Sequence, residues 1–297
     1  MSHSGASQWS RAKSFSPQGN SLYTMCDRGR QVGQFNRFFK PNLSERSGLP
    51  QIYLLHGEAG QSHGSFVRRL IIDKIEPYSA SKKGEMEGAV HHINPWVQPL
   101  DDLEEAKENL RFSIFEEVAP DYDPAQMSVL QLCQHRKLKP YPFVVIQHDF
   151  EVADWNAQLS MLVEWYLNTY WAGALSCARQ NQILLFLNFI YPYSARSGWH
   201  RFYPSKRFAK DAFRDFLQRL RLAVDKLYPC LLFDELGHLD QKEVCRSLGE
   251  LGIHDDVDCP KWVKDLFVKK RGKVSMIDIE RLIKTRSNIN ERARPPQ

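Results

Sequence analysis

The residues best placed to do chemistry lie in one stretch, Ile52-Tyr53-Leu54-Leu55-His56-Gly57-Glu58-Ala59-Gly60-Gln61-Ser62-His63-Gly64-Ser65-Phe66-Val67. An apolar run passes into a glycine-rich turn and then into a helical pattern. That is the layout in which backbone N–H groups and a helix N-terminus receive phosphate. A triphosphate-handling loop, G-x-x-x-x-G-K-[ST] counted from Gly57, needs Gly, Lys and Ser/Thr at positions 62, 63 and 64; the chain has Ser62, His63 and Gly64. No lysine occurs between Lys40 and Lys74, so no shift of register supplies one. His63 is shorter than lysine and, at an unperturbed pKa of about 6.5, mostly neutral at pH 7. Gly64 offers no hydroxyl, and Ser65 offers one a position late, about 100° further round the helix.

Such chemistry also needs a carboxylate at the end of a neighbouring strand to complete a metal site. After Ile146 come Gln147 and His148 before Asp149 appears, so the acid is displaced. Asn188, polar within the apolar run Ile183–Ile190, occupies the place of a γ-phosphate sensor, or else satisfies neighbouring backbone. Together these departures argue against hydrolysis. Gly57, Gly60 and Gly64, with the helix dipole behind them, keep the means to cradle an anion, or simply make a tight strand-to-helix turn. The degenerate nucleotide site therefore comprises Gly57, Gly60, His63, Gly64, Ser65, Asp149 and Asn188. No cofactor is expected, residual nucleotide binding stays open, and no catalytic residue is assigned.

Other constellations carry less. His56, His63, His91, His92 and His148 match no zinc-ligand spacing and no cysteine pair joins them, so no metal site is expected. No nucleophile-elbow motif supports hydrolase chemistry. The paired carboxylates Asp101-Asp102, Glu104-Glu105 and Glu116-Glu117 read as solvated helix faces. The stretch Tyr191–Pro204 is rich in the residue types of interface hot spots, and Tyr193, Arg196, Trp199, Arg201 and Tyr203 are its candidate partner-binding residues. Aromatic and arginine side chains also stack on bases, but without a strongly basic surround a protein partner is favoured over nucleic acid. A loop packed on itself is the plainer alternative.

These residues must be positioned by alternating elements. Apolar runs at 52–56, 89–93, 143–149, 183–190 and 229–233 read as strands. Between them lie helical patterns such as Phe35/Phe38/Phe39, closed by Pro41, and Phe66/Val67/Leu70/Ile71/Ile75, closed by Pro77 before a polar loop from Ser79 to Gly88. Asp101-Asp102 offers an N-cap to the helix carrying Leu103, Ala106, Leu110, Ile114 and Val118. Asp154 offers one to the helix of Leu159–Tyr170. The fold expected is α/β and P-loop NTPase-like: a mostly parallel five-stranded sheet, helices on both faces, and a small helical C-terminal extension. The Gly57 loop, Asp149 and Asn188 then come off strand carboxyl ends, where such sheets bind ligands. The expected organisation is a flexible lead-in over 1–20, the α/β domain over 21–236, the extension over 237–287 and a basic flexible tail over 288–297.

Composition sets the class. The 297 residues are 42% hydrophobic and 25% charged, an ordinary globular composition with no run long enough to cross a bilayer. The N-terminus lacks an apolar signal core, so a cytoplasmic protein is expected. The six cysteines are scattered, several in apolar surroundings that suit reduced buried thiols. The net charge of +5 is mild and concentrated late, in Lys269-Lys270-Arg271-Gly272-Lys273 and beyond. A basic tail can bind nucleic acid, though it is more often a solvated end.

Three short motifs in order resemble the inactive STAND domains, signal-transduction P-loop NTPase relatives whose nucleotide-binding motifs have eroded. They are Met25-Cys26-Asp27-Arg28 before a helix, His56-Gly57-Glu58-Ala59-Gly60-Gln61, and Leu232-Phe233-Asp234-Glu235-Leu236-Gly237-His238-Leu239. The resemblance spans about Tyr23 to Trp262. It implies a non-catalytic regulatory or scaffold module of bacterial conflict and antiviral defence systems, working through partner proteins or a separate effector. Many such domains are fused to an effector-recruiting module; here only about 20 residues precede Tyr23, so recruitment would fall to the domain's own surface. An atypical ATP-binding switch using Asp149, or a nucleic-acid-binding accessory protein, are the alternatives. Partner, trigger and oligomeric state are not readable from the sequence.

Overall fold

The computed structural model describes residues 28–45, 48–83, 90–95, 102–120, 128–152, 157–172, 181–191, 205–250 and 259–292. Five strands, β1 (Gln51–Glu58), β2 (Val90–Ile93), β3 (Phe143–Glu151), β4 (Gln182–Tyr191) and β5 (Cys230–Leu232), form one sheet in the order β2-β3-β4-β1-β5. All four pairings are parallel. This is the expected P-loop NTPase-like α/β architecture, with the sheet wholly rather than mostly parallel.

From β1 the chain crosses two strands to reach β2, then steps back the other way through β3 and β4 and past β1 to β5. Right-handed crossovers running in opposite directions put their helices on opposite faces. Accordingly α1 (Gly29–Glu45) and α2 (His63–Leu70) bury Phe35, Phe39, Phe66, Val67 and Leu70 against Tyr53, Leu55, Val145 and Phe186. On the other face α4 (Leu103–Val118), α5 (Val129–Gln134), α6 (Ala157–Trp165) and α7 (Ser205–Val224) pack on Ile52, Leu54, Val144, Ile146, Leu185 and Leu187. Successive strand residues thus feed two cores, as a parallel sheet covered on both faces requires. The direction of travel reverses between β1 and β4, which makes their carboxyl ends the crevice of the sheet.

A third apolar cluster joins Leu239, Val244, Leu248, Val263, Phe267, Val274, Met276, Ile279 and Ile283. It draws on α8 (Gln241–Glu250), α9 (Lys261–Lys269) and α10 (Met276–Arg292). These are the helices read after β5.

Several local expectations change. Pro41 does not end α1; it lies inside it. Its missing N–H frees one carbonyl of the preceding turn, and Asn42 Nδ2 donates to the Phe38 carbonyl at 2.8 Å nearby. Pro77 does not close the second helix either. The helical run continues without a break from α2 through a π-helical turn, Ile71–Ile75, into α3 (Glu76–Lys83), so Pro77 lies inside it, just past the wider turn. Residues 79–83 are therefore helical, not loop. Asp102 caps α4 as expected, accepting from Glu105 N at 2.9 Å, while Asp154 lies outside the described residues. Cys133 and Cys230 are buried outside any disulfide, as reduced buried thiols would be, but Cys245 and Cys259 form a disulfide at a Cα separation of 5.0 Å, which was not expected. Among the described residues no helix is long and apolar enough to cross a membrane.

Candidate functional site

The glycine loop leaves the sheet at the reversal point. Gly57 is still in β1, beside Leu236 of the segment that follows β5. A Cβ on Gly57 would lie 2.7 Å from the Leu236 carbonyl oxygen, so only glycine lets the two backbones approach so closely. Gly60 turns the chain at φ +91°, Ser62 sits in the left-handed region at φ 50°, and α2 begins at His63 with no side-chain cap.

The cation such a loop would need is absent. His63 is 3% exposed and its pKa is pushed down to about 3, by burial first and then by Arg28 and His56. It is neutral, and its Nε2 has no hydrogen-bond partner among the described residues. A permanent charge does act on His63, that of the buried Arg28 just ahead of α1, but it is engaged by protein oxygens. Its guanidinium donates to Gln61 Oε1 at 2.8 Å, the Gln61 carbonyl at 3.4 Å and the Gly237 carbonyl at 2.8 Å.

The chain itself covers the outer side of the loop. Ile277 N donates to the Gly60 carbonyl at 3.0 Å, and Ile277 Cγ2 lies 3.3 Å from where a Cβ on Gly60 would stand. Ser65 Oγ donates to Glu280 Oε1 at 3.1 Å. The Ser65 hydroxyl thus faces a carboxylate, in the first turn of α2 where the dipole favours negative charge. Behind the loop, a Cβ on Gly64 would meet Gln147 Nε2 at 3.3 Å.

Asp149 and Asn188 do meet, but as register partners inside β3 and β4 rather than beyond their ends. Asp149 Oδ1 accepts from Asn188 Nδ2 at 2.6 Å and from Gln147 Nε2 at 3.2 Å. Asn188 is fully buried, while Asp149 is exposed. Asn188 thus contacts a strand neighbour. The structure brings Gly57, Gly60, His63, Gly64 and Ser65 into one turn and Asp149 with Asn188 into an adjoining pair, bridged by Gln147.

His56 and His148 are each held by neighbouring groups. His56 Nε2 donates to the Phe233 carbonyl at 3.1 Å, which leaves Nδ1 to accept from the Tyr191 hydroxyl at 2.6 Å. His148 is buried against Tyr166, 2.7 Å from its hydroxyl, with its pKa pushed down to about 3 by burial. Among the described residues no His/Cys/Asp/Glu group could hold a metal. Tyr193, Arg196, Trp199, Arg201 and Tyr203 lie outside the described residues. A cleft of about 500 Å³ opens beside β5, between Gln34 of α1 and Arg214 and Arg221 of α7; none of residues 57–65 lines it.

Sequence reasoning missed Gln61, Gln147, Ile277 and Glu280. Glu280 carries no local signal, being 215 residues from Ser65. Arg28 was visible only as the last residue of a motif.

Among solved structures, the chain is similar to the Aeropyrum pernix Orc1 protein in complex with DNA, at 15% identity and a TM-score of 0.47, over 91% of this chain and 62% of that one. It is also similar to the Drosophila ORC bound to GC-rich DNA and Cdc6, at 14% identity and a TM-score of 0.32, over 84% of this chain and 38% of that one. The chain thus spans less than two thirds of either. No curated protein matches it. The family described as inactive STAND matches residues 23–190, more than half of the chain. The chain belongs to the inactive STAND family.

Proposed function

We propose that this chain is a non-catalytic regulatory or scaffold module that acts by binding partner proteins or a separate effector, within a bacterial conflict or antiviral defence system. One observation carries the reading: the glycine loop is engaged by the chain's own residues on every side described. Leu236 lies against Gly57, Arg28 holds Gln61, Ile277 and Glu280 cover Gly60 and Ser65, and Gln147 lies against Gly64. A triphosphate would have to displace these contacts and would meet neutral His63 where a lysine is needed. Residues 21–236 serve in this reading as the α/β body and 237–287 as an extension that closes the loop. With nucleotide chemistry set aside, surface recognition is what remains for such a fold to do.

Calorimetric titration with Mg–ATP and a phosphate-release assay on the purified chain test the first half; neither heat of binding nor turnover is expected. Turnover abolished by Asp149→Ala would replace the proposal with an atypical ATPase. Co-purification with the products of neighbouring genes tests the second half. An effector enzyme recovered in stoichiometric amount supports the scaffold role, and recovery of the chain alone opposes it.

A further inference from the structure

We propose that the exposed face of α9 and the turn after it dock an acidic, apolar-bearing segment of a partner protein. The inference rests on the protein-binding reading above and adds where and by what chemistry binding occurs. On its inner side α9 buries Val263 and Phe267 in the third cluster, with Trp262 and Leu266 half-buried beside them. Lys261, Lys264, Asp265, Val268 and Lys269 are all exposed, at the i, i+3, i+4, i+7 and i+8 spacing that puts residues on one helix face. Val268 is 79% exposed, a bare apolar side chain amid that charge.

The turn extends the patch. Arg271 and Lys273 are exposed, and the turn that carries them is fixed: Arg271 and Gly272 sit at φ 51° and 76°, and Gly272 N donates to the Phe267 carbonyl at 2.8 Å. A left-handed backbone is strained for arginine, so its conformation is held by the surrounding structure. Lys270 is taken by Asp278 at 2.9 Å. Lys261, Lys264, Lys269, Arg271 and Lys273 form no ion pair among the described residues.

Helix electrostatics explain only part of this. Cations near a helix C-terminus interact well with the dipole, which covers Lys269 and Arg271. Lys261 and Lys264 stand in the first turn, which has no acidic residue and where the dipole disfavours positive charge. A face that accumulates cations at both ends suits an acidic ligand. One feature points to protein rather than a nucleic-acid duplex: exposed Val268, within the same face, calls for an apolar contact that a phosphate backbone does not offer.

The test uses the full chain with fluorescein-labelled probes in an anisotropy titration: a short Glu-rich peptide with a central leucine, and a random-sequence DNA duplex. The peptide should bind, more weakly as salt rises. Lys261→Glu/Lys264→Glu/Lys269→Glu should lower its affinity by about tenfold or more, and Val268→Ser by about threefold, with unchanged circular dichroism. A peptide that does not bind, or binds all variants equally, overturns the proposal. So does a duplex that outcompetes the peptide and loses affinity on charge reversal but not with Val268→Ser, which would make the face a nucleic-acid surface. Capture of the co-purifying effector by the charge-reversed variant sinks this surface alone; failure of the parent chain to capture any partner sinks the protein-binding reading itself.

Discussion

Replacing Gly57 by alanine separates a packing glycine from a phosphate-approach glycine. The new Cβ would stand 2.7 Å from the Leu236 carbonyl oxygen, 2.8 Å from Leu236 Cβ and 3.2 Å from His63 Nε2. Restoring ordinary van der Waals separation requires a retreat of roughly 0.7 Å. Leu236 cannot make it freely: its side chain is fully buried and its N–H donates to the His56 carbonyl at 2.8 Å. Overpacking of this kind costs about 1–3 kcal/mol, and straining the hydrogen bond adds about 1, so the variant should lose about 2–4 kcal/mol. Denaturant unfolding without nucleotide measures it, with Gly237→Ala as the control because nothing lies within 4 Å of a Cβ there. If Gly57→Ala lay within about 0.5 kcal/mol of the parent, the argument that Leu236 dictates this glycine would be refuted.

Burial holds His63 and His148 down to about 3, with Arg28 and His56 adding to the effect at His63. Above about pH 6.5 these rings are neutral both folded and unfolded; below it the unfolded chain takes up protons the fold refuses, so stability falls toward the folded pKa values. The loss at pH 5 is about 2 kcal/mol per histidine, and a denaturation midpoint that stays level from pH 7 to 5 would contradict it. Ser65→Ala and Glu280→Ala should each cost about 1 kcal/mol, and the double variant clearly less than their sum, because they remove one hydrogen bond; additive losses would deny the coupling. The triple variant Ser62→Gly/His63→Lys/Gly64→Thr rebuilds the loop motif, yet it buries an ammonium beside Arg28. Calorimetry should show a lowered melting temperature and a phosphate assay no turnover, and turnover in that variant would mean the substitutions alone had removed the activity.

The sheet was legible because most of its strands are continuous apolar runs, β-branched at Val144–Ile146 and rich in Leu and Phe at Ile183–Ile190, and those two could be little else. The loop was legible for the same reason, its glycines following an apolar strand. Proline was over-read. At Pro41 and Pro77 the rule that proline ends a helix gave way to helices that continue through it, the second by way of a π-helical turn just before the proline. The clasp over the loop was invisible, because Ile277 and Glu280 are unremarkable helix residues whose meaning depends on contacts more than 200 residues away. The Cys245–Cys259 bridge was hidden similarly: a separation of 14 residues matches no short motif, and only the packing of the C-terminal helices brings the two together.

Erosion of the motif and closure of the loop can be understood as one change. A loop fit for phosphate has no side chains in the way, a left-handed turn and a helix dipole directed at its ligand. Those same properties suit it to close protein contact. Gly57 admits the Leu236 backbone, Gly60 at φ +91° presents its carbonyl to Ile277, and the first turn of α2 faces Glu280. Once the chain's own carboxylate and backbone fill that space, a lysine at position 63 would be a buried cation beside Arg28 with no phosphate to neutralise it, an arrangement costing several kcal/mol. A neutral imidazole is what the site tolerates, and the burial that holds His63 down to about 3 keeps it so. The missing lysine is then a consequence of how the fold is now held together, and the stability tests above probe it in the absence of any nucleotide.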